Sequence, residues 1–261
     1  MSKKLVAMAA VALLFSTLGM AQKAAPEVKL DGFRGSVQTV TSVMYEAVDN
    51  GGQTLNRGDI LERIETVYLK NGLRKSMTYL SPEEDVLFRS RYKHDGFGVT
   101  TLEHVVDNHD EIVGRTYYVY DPNFFLTEIY TEDAERQIES RTLVKYDSRE
   151  RVAQRSYTDA NGNIFRREVY TYTPEGTILK TVVFDRSGNK AKEIRYEYDQ
   201  NGQPVTQTVY DYSEPEPEIF ITLFRYKYDS HRNWIQKTEY QMTDDNQPVA
   251  QTIIERTIKY F

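Results

Sequence analysis

A short signature, Tyr-x-Tyr-Asp-x-x-Gly, returns along most of this chain at a regular interval. Its clearest copy lies in residues 194–209, where Ile194, Tyr196 and Tyr198 alternate with charged residues. Alternation with period two is typical of a strand that buries one face. Residues 199–202 then supply Asp, Asn and Gly, which favour tight turns, and a β-branched run follows. The signature therefore predicts a β-hairpin.

The second aromatic position of the signature marks the phase of the repeat. It is occupied in turn by Tyr68, His94, Tyr120, Tyr146, Tyr172, Tyr198 and Tyr228. The first five intervals are each 26 residues, and the last is 30 because residues 213–218, rich in Glu and Pro, form an insertion. Residues 159–163 and 185–189 predict a second turn midway through the clearer units. Seven units of two strands imply about fourteen antiparallel strands.

The fold class predicted by this pattern is all-β, with tandem antiparallel β-hairpin repeats in a long curled meander. A twisting sheet of this length rarely stays open, so we expect a barrel-like or superhelical form with the tyrosines largely inside. A flat single-layer ribbon is the alternative. Because 26 is even, Tyr172, Tyr198 and Tyr228 should lie on one face at matched heights, with Val182 and Phe184 between the first two.

Four segments are predicted along the chain: a signal peptide (1–21), a flexible lead-in and capping hairpin (22–65), the repeat array (66–240) and a closing strand (241–261). The capping hairpin combines strands near residues 35–48 and 60–68 with a turn at residues 50–52. It lacks the signature, as terminal repeats usually do.

Residues 1–21 are typical of a cleavable bacterial signal peptide. Lys3 and Lys4 precede an apolar run too short for a usual membrane span, and small residues end at Ala21. We therefore expect a secreted, periplasmic or cell-envelope protein that begins at Gln22 and keeps no membrane span; a retained anchor is the alternative. The chain has no cysteine, so it cannot be a lipoprotein anchored through one, and it has no disulfides.

The mature chain is predicted to be acidic. Removing Lys3 and Lys4 from the 33 basic residues leaves 31 against 39 acidic residues, a formal charge of −8. Such a surface repels phosphate backbones, so nucleic acid is not expected as a partner.

The repeats resemble the tyrosine-aspartate (YD, or Rhs-type) repeats of secreted bacterial proteins over residues 66–240. The first unit, VYLKNGLRKSMTYL at residues 67–80, also resembles MORN-variant repeats. The resemblance implies a β-hairpin repeat and names no activity. Toxin delivery is not carried over, because the chain is too short to build the closed shell of the large Rhs toxins and no toxin domain follows the array.

Metal sites and catalytic motifs are weakly supported by the sequence. The turns that begin at Asp159 and Asp185 resemble the start of a calcium loop, but their glycine comes too early and tyrosine stands where the bidentate Glu belongs. Residues 103–111 contain Glu103, His104 and His109, but zinc needs three or four ligands in tight geometry. A nucleophile elbow and a phosphate loop are both lacking. We expect no metal, no cofactor and no enzymatic activity.

The tyrosines allow two interpretations. Aromatic pairs between strands stabilise a sheet, and exposed aromatic rows bind sugar rings or proteins. Tyr196, Tyr226 and Trp234, the only tryptophan, are the candidate binding residues. The sequence thus favours a non-catalytic repeat protein that binds a protein or glycan on an extended sheet surface. A structural or envelope-assembly component without a ligand is the first alternative, and a hydrolase with an unrecognised carboxylate pair is the second.

Overall fold

The computed structural model describes residues 24–49 and 55–261. In this part the chain forms one short helix, α1 (Glu27–Leu30), and antiparallel strands in chain order. The strands are β1 (Val37–Asp49), β2 (Leu55–Tyr68), β3 (Arg74–Leu80), β4 (Val86–His94), β5 (Thr100–Asp107), β6 (Ile112–Tyr120), β7 (Leu126–Asp133), β8 (Ile138–Tyr146), β9 (Val152–Asp159), β10 (Ile164–Tyr172), β11 (Ile178–Phe184), β12 (Lys190–Tyr198), β13 (Pro204–Asp211), β14 (Glu218–Tyr228), β15 (Trp234–Met242) and β16 (Pro248–Tyr260). The predicted signal segment and the predicted turn at residues 50–52 lie outside the described residues.

The strands form one closed barrel in which each strand pairs with its neighbours in sequence. Closure comes from β1 and β16, whose antiparallel register aligns Val40 with Ile258. The predicted all-β meander is confirmed, and of the predicted forms the barrel is the one observed. Sixteen strands lie within the described residues, because the capping hairpin and the closing strand join the same sheet.

Most of the hairpin connections share one turn geometry. In the turn after β12, the Asp199 N–H donates to Gln203 O and the Gly202 N–H donates to Asp199 O. Asp199 Oδ1 also accepts the backbone N–H groups of Asn201 and Gln203. The fourth residue has positive φ whether it is Gly202 (79°) or the non-glycine Glu150 (62°). The repeat units therefore share the turn conformation even where the glycine is absent.

The predicted second turns adopt this same geometry. The N–H of Gly162 donates to Asp159 O, and that of Gly188 donates to Asp185 O. Equivalent turns begin at Ser81, Asp95 and Asp107, so the spacing alternates between 14 and 12 residues. The 26-residue repeat is thus two successive hairpin turns with unequal spacing.

The phase-marker tyrosines form a regular spine near the signature turns. Tyr172 pairs with Ile178, and Tyr198 pairs with Pro204, each beside a register shift. The Tyr172 hydroxyl donates to Val152 O (2.6 Å), and the Tyr198 hydroxyl donates to Ile178 O (2.7 Å). These equivalent positions confirm the predicted matched heights and shared face.

The prediction that Val182 and Phe184 lie between Tyr172 and Tyr198 was wrong. Val182 pairs with Val169, and Phe184 pairs with Arg167 toward the opposite end of the barrel. Ile178 occupies the position between the tyrosines instead. The physical reason is antiparallel pairing, since the last residue before a turn meets the first residue after it.

Residues 24–36 cross the barrel end that carries the signature turns, and we call them the strap. The Ala24 N–H donates to Phe124 O, the Val28 N–H donates to Gly72 O, and the Arg34 N–H donates to Asn233 Oδ1. Residues 24–29, predicted as a flexible lead-in, are therefore an ordered part of the barrel end. Glu27 and Val28 are themselves buried.

Two acidic residues hold the strap in place: Glu27, which begins α1, and Asp31, which directly follows it. Glu27 Oε2 accepts the Arg74 backbone N–H (3.0 Å), and Glu27 Oε1 accepts the Thr100 hydroxyl. Both oxygens of Asp31 accept from Arg74 Nη2 at 2.6 Å, and Tyr68 Oη donates to Asp31 Oδ2 at 2.5 Å.

Alternate residues of each strand point into and out of the barrel. In β4, Phe88 and Ser90 are buried, whereas Leu87 and Arg91 are exposed. The register extends this assignment around the barrel, because directly paired residues share a face. One apolar core cluster fills the interior beside β2 to β5; its buried members are Ile64, Tyr79, Phe88 and Val105.

Candidate functional site

The interior of the barrel carries arginine, glutamate and tyrosine side chains beside its apolar core. The first inner cluster comprises Arg74, Tyr92, Glu103 and Tyr118, on strands β3 to β6. The Arg74 guanidinium lies 5.1 Å from the Tyr92 ring centroid, and Tyr118 Oη donates to Glu103 Oε2 at 2.9 Å. Burial, followed by the charge of Glu103, raises the pKa of Tyr92 and of Tyr118. Both hydroxyls therefore stay protonated at neutral pH and act as hydrogen-bond donors.

The second inner cluster comprises Arg155, Tyr157, Glu168 and Tyr170, on β9 and β10. The Tyr157 and Tyr170 hydroxyls donate to Glu168 Oε2 at 2.8 and 2.5 Å. The Arg155 guanidinium lies 5.8 Å from the Tyr170 ring centroid. Burial is the main cause that raises the pKa of both tyrosines. Glu168 is thus a buried carboxylate held by two phenol donors and a neighbouring cation.

The third inner cluster comprises Tyr226, Trp234 and Arg256, on β14 to β16. The ring centroids of Tyr226 and Trp234 are 6.1 Å apart. The Arg256 guanidinium lies 3.3 Å from the Trp234 ring centroid, and Tyr226 Oη donates to Pro204 O at 2.9 Å. This cluster has aromatic surface and a guanidinium, but no carboxylate among its members.

Several inward side chains keep some solvent-accessible surface. Tyr92, Tyr118 and Arg256 are enclosed by protein, yet each keeps a fraction of its surface exposed. The barrel strands close around these side chains, and we call the space between the inward faces of the strands the lumen. Phe220, which is paired with inward-facing Val209, is 44% exposed near the start of β14. Phe220 is thus an inward aromatic residue that stays accessible at the barrel end opposite the strap.

The predicted binding residues Tyr196, Tyr226 and Trp234 all face inward. Tyr196 is only 7% exposed, and the other two are half-buried. An outward platform built from these three side chains is therefore ruled out by their orientation, because they point away from the outer sheet surface. Ligand binding by Tyr196, Tyr226 and Trp234 stays a prediction.

The other sequence candidates are separated by the fold. Glu103 faces inward, whereas His104 is next to it on β5 and faces outward, and His109 lies in the following turn. Burial and then the charges of Lys93 and Arg115 lower the pKa of His104. Asp159 Oδ1 accepts the backbone N–H groups of its own turn, as a hairpin turn requires. Within residues 24–49 and 55–261, no three metal-ligating side chains converge.

Inward arginines were missed by the sequence interpretation. Arg155 lies nine residues after its phase marker, a position held in the other units by Met77, Glu103, Ile129, Thr181, Gln207 and Lys237. Because this position varies from apolar to charged, the repeat pattern carries no signal that singles out Arg155. Arg256 has no signal either, because the closing strand lies outside the regular array.

A porin-like protein from Bacteroides uniformis is among the solved structures that this barrel resembles. It is 6% identical, aligns over 87% of this chain and 99% of its own length, and has a TM-score of 0.57. At that identity the likeness shows the fold alone.

Two further matches have TM-scores too low to carry an argument. A TcdB2-TccC3-Cdc42 complex is 12% identical over 82% of this chain and 14% of that chain (TM-score 0.30). A DUF3836 family protein from Parabacteroides distasonis is 16% identical over 36% and 91% (TM-score 0.25). No protein-family model and no curated protein matches the chain, so the YD and MORN resemblance stays a hypothesis from sequence.

Proposed function

We propose that this protein is an exported, non-catalytic binding protein whose ligand occupies the lumen. The observation that carries the proposal is the set of inward aromatic and charged side chains that are enclosed by strands but keep accessible surface. Tyrosine hydroxyls that stay protonated, aromatic rings and guanidinium groups suit polar ligands with ring or planar groups. A ligand site inside the barrel replaces the outer sheet surface expected from the sequence.

Export rests on the first 21 residues. The charged start, short apolar run and small residues before Gln22 support cleavage by signal peptidase. Mass spectrometry of the exported protein should find Gln22 as the first residue. Recovery of the envelope protein with Met1 intact would contradict this part of the proposal.

The outward face supports a barrel that works in water. Arg91 in β4, Arg195 in β12 and Arg225 in β14 all point outward and are exposed. Arginine on the lipid face of a membrane barrel costs about 2–4 kcal/mol at the bilayer midplane. These outward arginines lead us to expect no channel conductance when the protein is added to planar bilayers; stable single-channel steps would contradict this expectation. In residues 24–49 and 55–261, no helix is long and apolar enough to cross a membrane.

The ligand class is proposed to be a glycan or a protein segment. Glycans fit the pairing of aromatic rings with charged hydrogen-bonding groups, which is the chemistry of the third inner cluster. A protein segment would use the same tyrosine donors. Nucleic acid is not proposed, because the mature chain is acidic.

A structural role without a ligand is the second candidate. It is favoured by the internal pairing of the first two inner clusters, whose carboxylates already accept hydrogen bonds from tyrosines. A barrel whose interior groups satisfy one another needs no ligand to be stable.

A matched pair of variants on β13 separates the two candidates. Gln207 faces inward beside Tyr196, whereas the adjacent Thr208 faces outward beside Arg195. Calorimetric titration with neutral and acidic oligosaccharides and with peptides should identify a ligand, and Gln207→Trp should weaken its binding about tenfold or more. Thr208→Trp should leave binding unchanged. Loss only in Thr208→Trp would move the site to the outer face, and no binding to any compound would favour the structural role.

A further inference from the structure

Arg256 differs from the other inner arginines in its surroundings. It lies on β16 and points into the lumen, with its guanidinium 3.3 Å from the Trp234 ring centroid and 5.0 Å from the Phe33 ring centroid. Trp234 belongs to β15, and Phe33 belongs to the strap. The guanidinium is therefore flanked by two aromatic rings from different parts of the fold.

Arg256 also lacks a direct counter-ion. Within the described chain, no carboxylate forms an ion pair with it, and its Nε is buried without a hydrogen-bond partner. The charge of Asp31 acts on Arg256, but both Asp31 oxygens already accept hydrogen bonds from Arg74 and Tyr68. Arg74, by contrast, donates hydrogen bonds to both carboxylate oxygens of Asp31.

The guanidinium remains charged in this enclosed place. Burial lowers the pKa of Arg256 to about 10, which still lies well above neutral pH. An enclosed charge is normally paired, because removal from water is costly unless an opposite charge and hydrogen bonds replace the lost hydration. A guanidinium beside aromatic rings can bind a planar or tetrahedral oxyanion through its N–H edge with two parallel hydrogen bonds.

We propose that Arg256 is the anion-binding residue of the lumen and accepts the oxyanion group of the ligand, a carboxylate, phosphate or sulfate. The inference rests on the proposed function, because it places one chemical group of the luminal ligand. Tyr226 and Trp234 then form the aromatic wall beside that group, which assigns two of the three predicted binding residues a role from inside the barrel. The neighbouring pair of Lys237 Nζ and Glu239 Oε1, 2.6 Å apart, leaves Arg256 as the unpaired cation of this wall.

A purely structural role for Arg256 makes a different prediction. If Arg256 only clamps Phe33 of the strap against Trp234, its removal changes stability but not the response to anions. The tryptophan itself reports the difference, because Trp234 is the only tryptophan of the chain and lies against the guanidinium.

The first test uses fluorescence quenching of the full exported protein. Iodide should quench Trp234 more strongly than the neutral quencher acrylamide does, whereas caesium should quench it weakly. Arg256→Met should abolish the preference for iodide. Arg225→Met is the matched control, because Arg225 lies 4.7 Å from the Tyr240 ring centroid on the outer face. Equal iodide preference in the wild type and in Arg256→Met would overturn the assignment, and the wild-type comparison of the three quenchers needs no variant to fold.

The second test measures binding with galacturonate, inorganic phosphate and inorganic sulfate, with galactose as the uncharged control. At least one anion should bind the wild type, and Arg256→Met should weaken it about tenfold or more. Binding that persists in Arg256→Met but is lost in Gln207→Trp would overturn the Arg256 assignment and retain luminal binding. Binding retained in both variants would overturn the luminal site itself. If only galacturonate binding depends on Arg256, the ligand is an acidic sugar. If only phosphate or sulfate binding depends on Arg256, the ligand is an ester of that anion.

Discussion

The Tyr228 hydroxyl donates a hydrogen bond to Oδ2 of Asp199, 2.7 Å away, and so links two consecutive signature turns. The other oxygen of Asp199 accepts the backbone N–H groups of Asn201 and Gln203. The same link recurs where Tyr260 of β16 donates to Asp229 Oδ2. The signature aspartate therefore stabilises its own turn and, in these two cases, also binds a tyrosine from a later strand.

This double role predicts different costs for the two partners. Tyr228→Phe removes one hydrogen bond and should lower the free energy of unfolding by about 1 kcal/mol. Asp199→Ala also removes the acceptor of the turn and should cost more, about 2 kcal/mol. Urea unfolding followed by circular dichroism measures both. Tyr240→Phe on the outer face is the control and should have little effect; equal costs for the Asp199 and Tyr228 variants would argue against the double role.

Positive φ at the fourth turn position predicts opposite effects at two sites. Gly202 has φ 79°, and an added Cβ would meet no atom within 4 Å, so backbone strain alone decides the effect. Gly202→Val should cost about 1 kcal/mol or more, because β-branched residues disfavour this conformation. Glu150 has φ 62°, and Glu150→Gly should gain up to about 1 kcal/mol. Thermal unfolding of both variants tests the pair, and a neutral Gly202→Val would exclude strain.

The tyrosine spine predicts a graded loss at Tyr198. Its ring centroid lies 6.3 Å from that of Tyr196, and its hydroxyl donates to Ile178 O at 2.7 Å. Tyr198→Phe should cost about 1 kcal/mol for the hydrogen bond. Tyr198→Ala should cost about 2–4 kcal/mol, because a packed ring is also lost. Denaturant titration measures the two steps; similar small losses in both variants would mean that the ring contributes no packing.

The local parts of the fold were accessible from the sequence, and the long-range parts were not. Turn chemistry at residues 199–202 and the alternation around Tyr196 locate a hairpin because both act between near neighbours. Closure depends on Val40 meeting Ile258, and no local pattern encodes that contact. The strap was missed for the same reason, since Glu27 finds its partners on β3 and β5 only in the closed barrel.

The sequence predicted which residue types form the candidate site, but not whether they face into or out of the barrel. An even repeat places Tyr196 and Tyr226 on one face, yet it cannot decide whether that face points in or out of a curved sheet. Burial decides it in the folded barrel, where aromatic rings fill the concave side. Arg256 was missed because its significance comes from Trp234 and Phe33, which the fold brings together from distant segments.

Acid should weaken the barrel through its hydrogen-bonded carboxylates. The Lys190 ammonium, and then the Arg195 guanidinium, lower the pKa of Glu193. Burial acts in the opposite direction at Asp199, but the Gln203 N–H and the Tyr228 hydroxyl outweigh it and the pKa is lowered. A carboxylate whose pKa is lower in the folded state stabilises that state fully above its unfolded pKa, about 4, and loses the contribution as pH falls through the folded value. The urea midpoint should therefore be flat from about pH 5 to neutral and fall below about pH 4.

Glu193→Gln should lower the neutral-pH midpoint and flatten the acid slope. Glu197→Gln is the control, because Glu197 is exposed, and it should change neither the midpoint nor the slope. An acid slope that is identical in the wild type and in Glu193→Gln would assign the acid sensitivity to other groups.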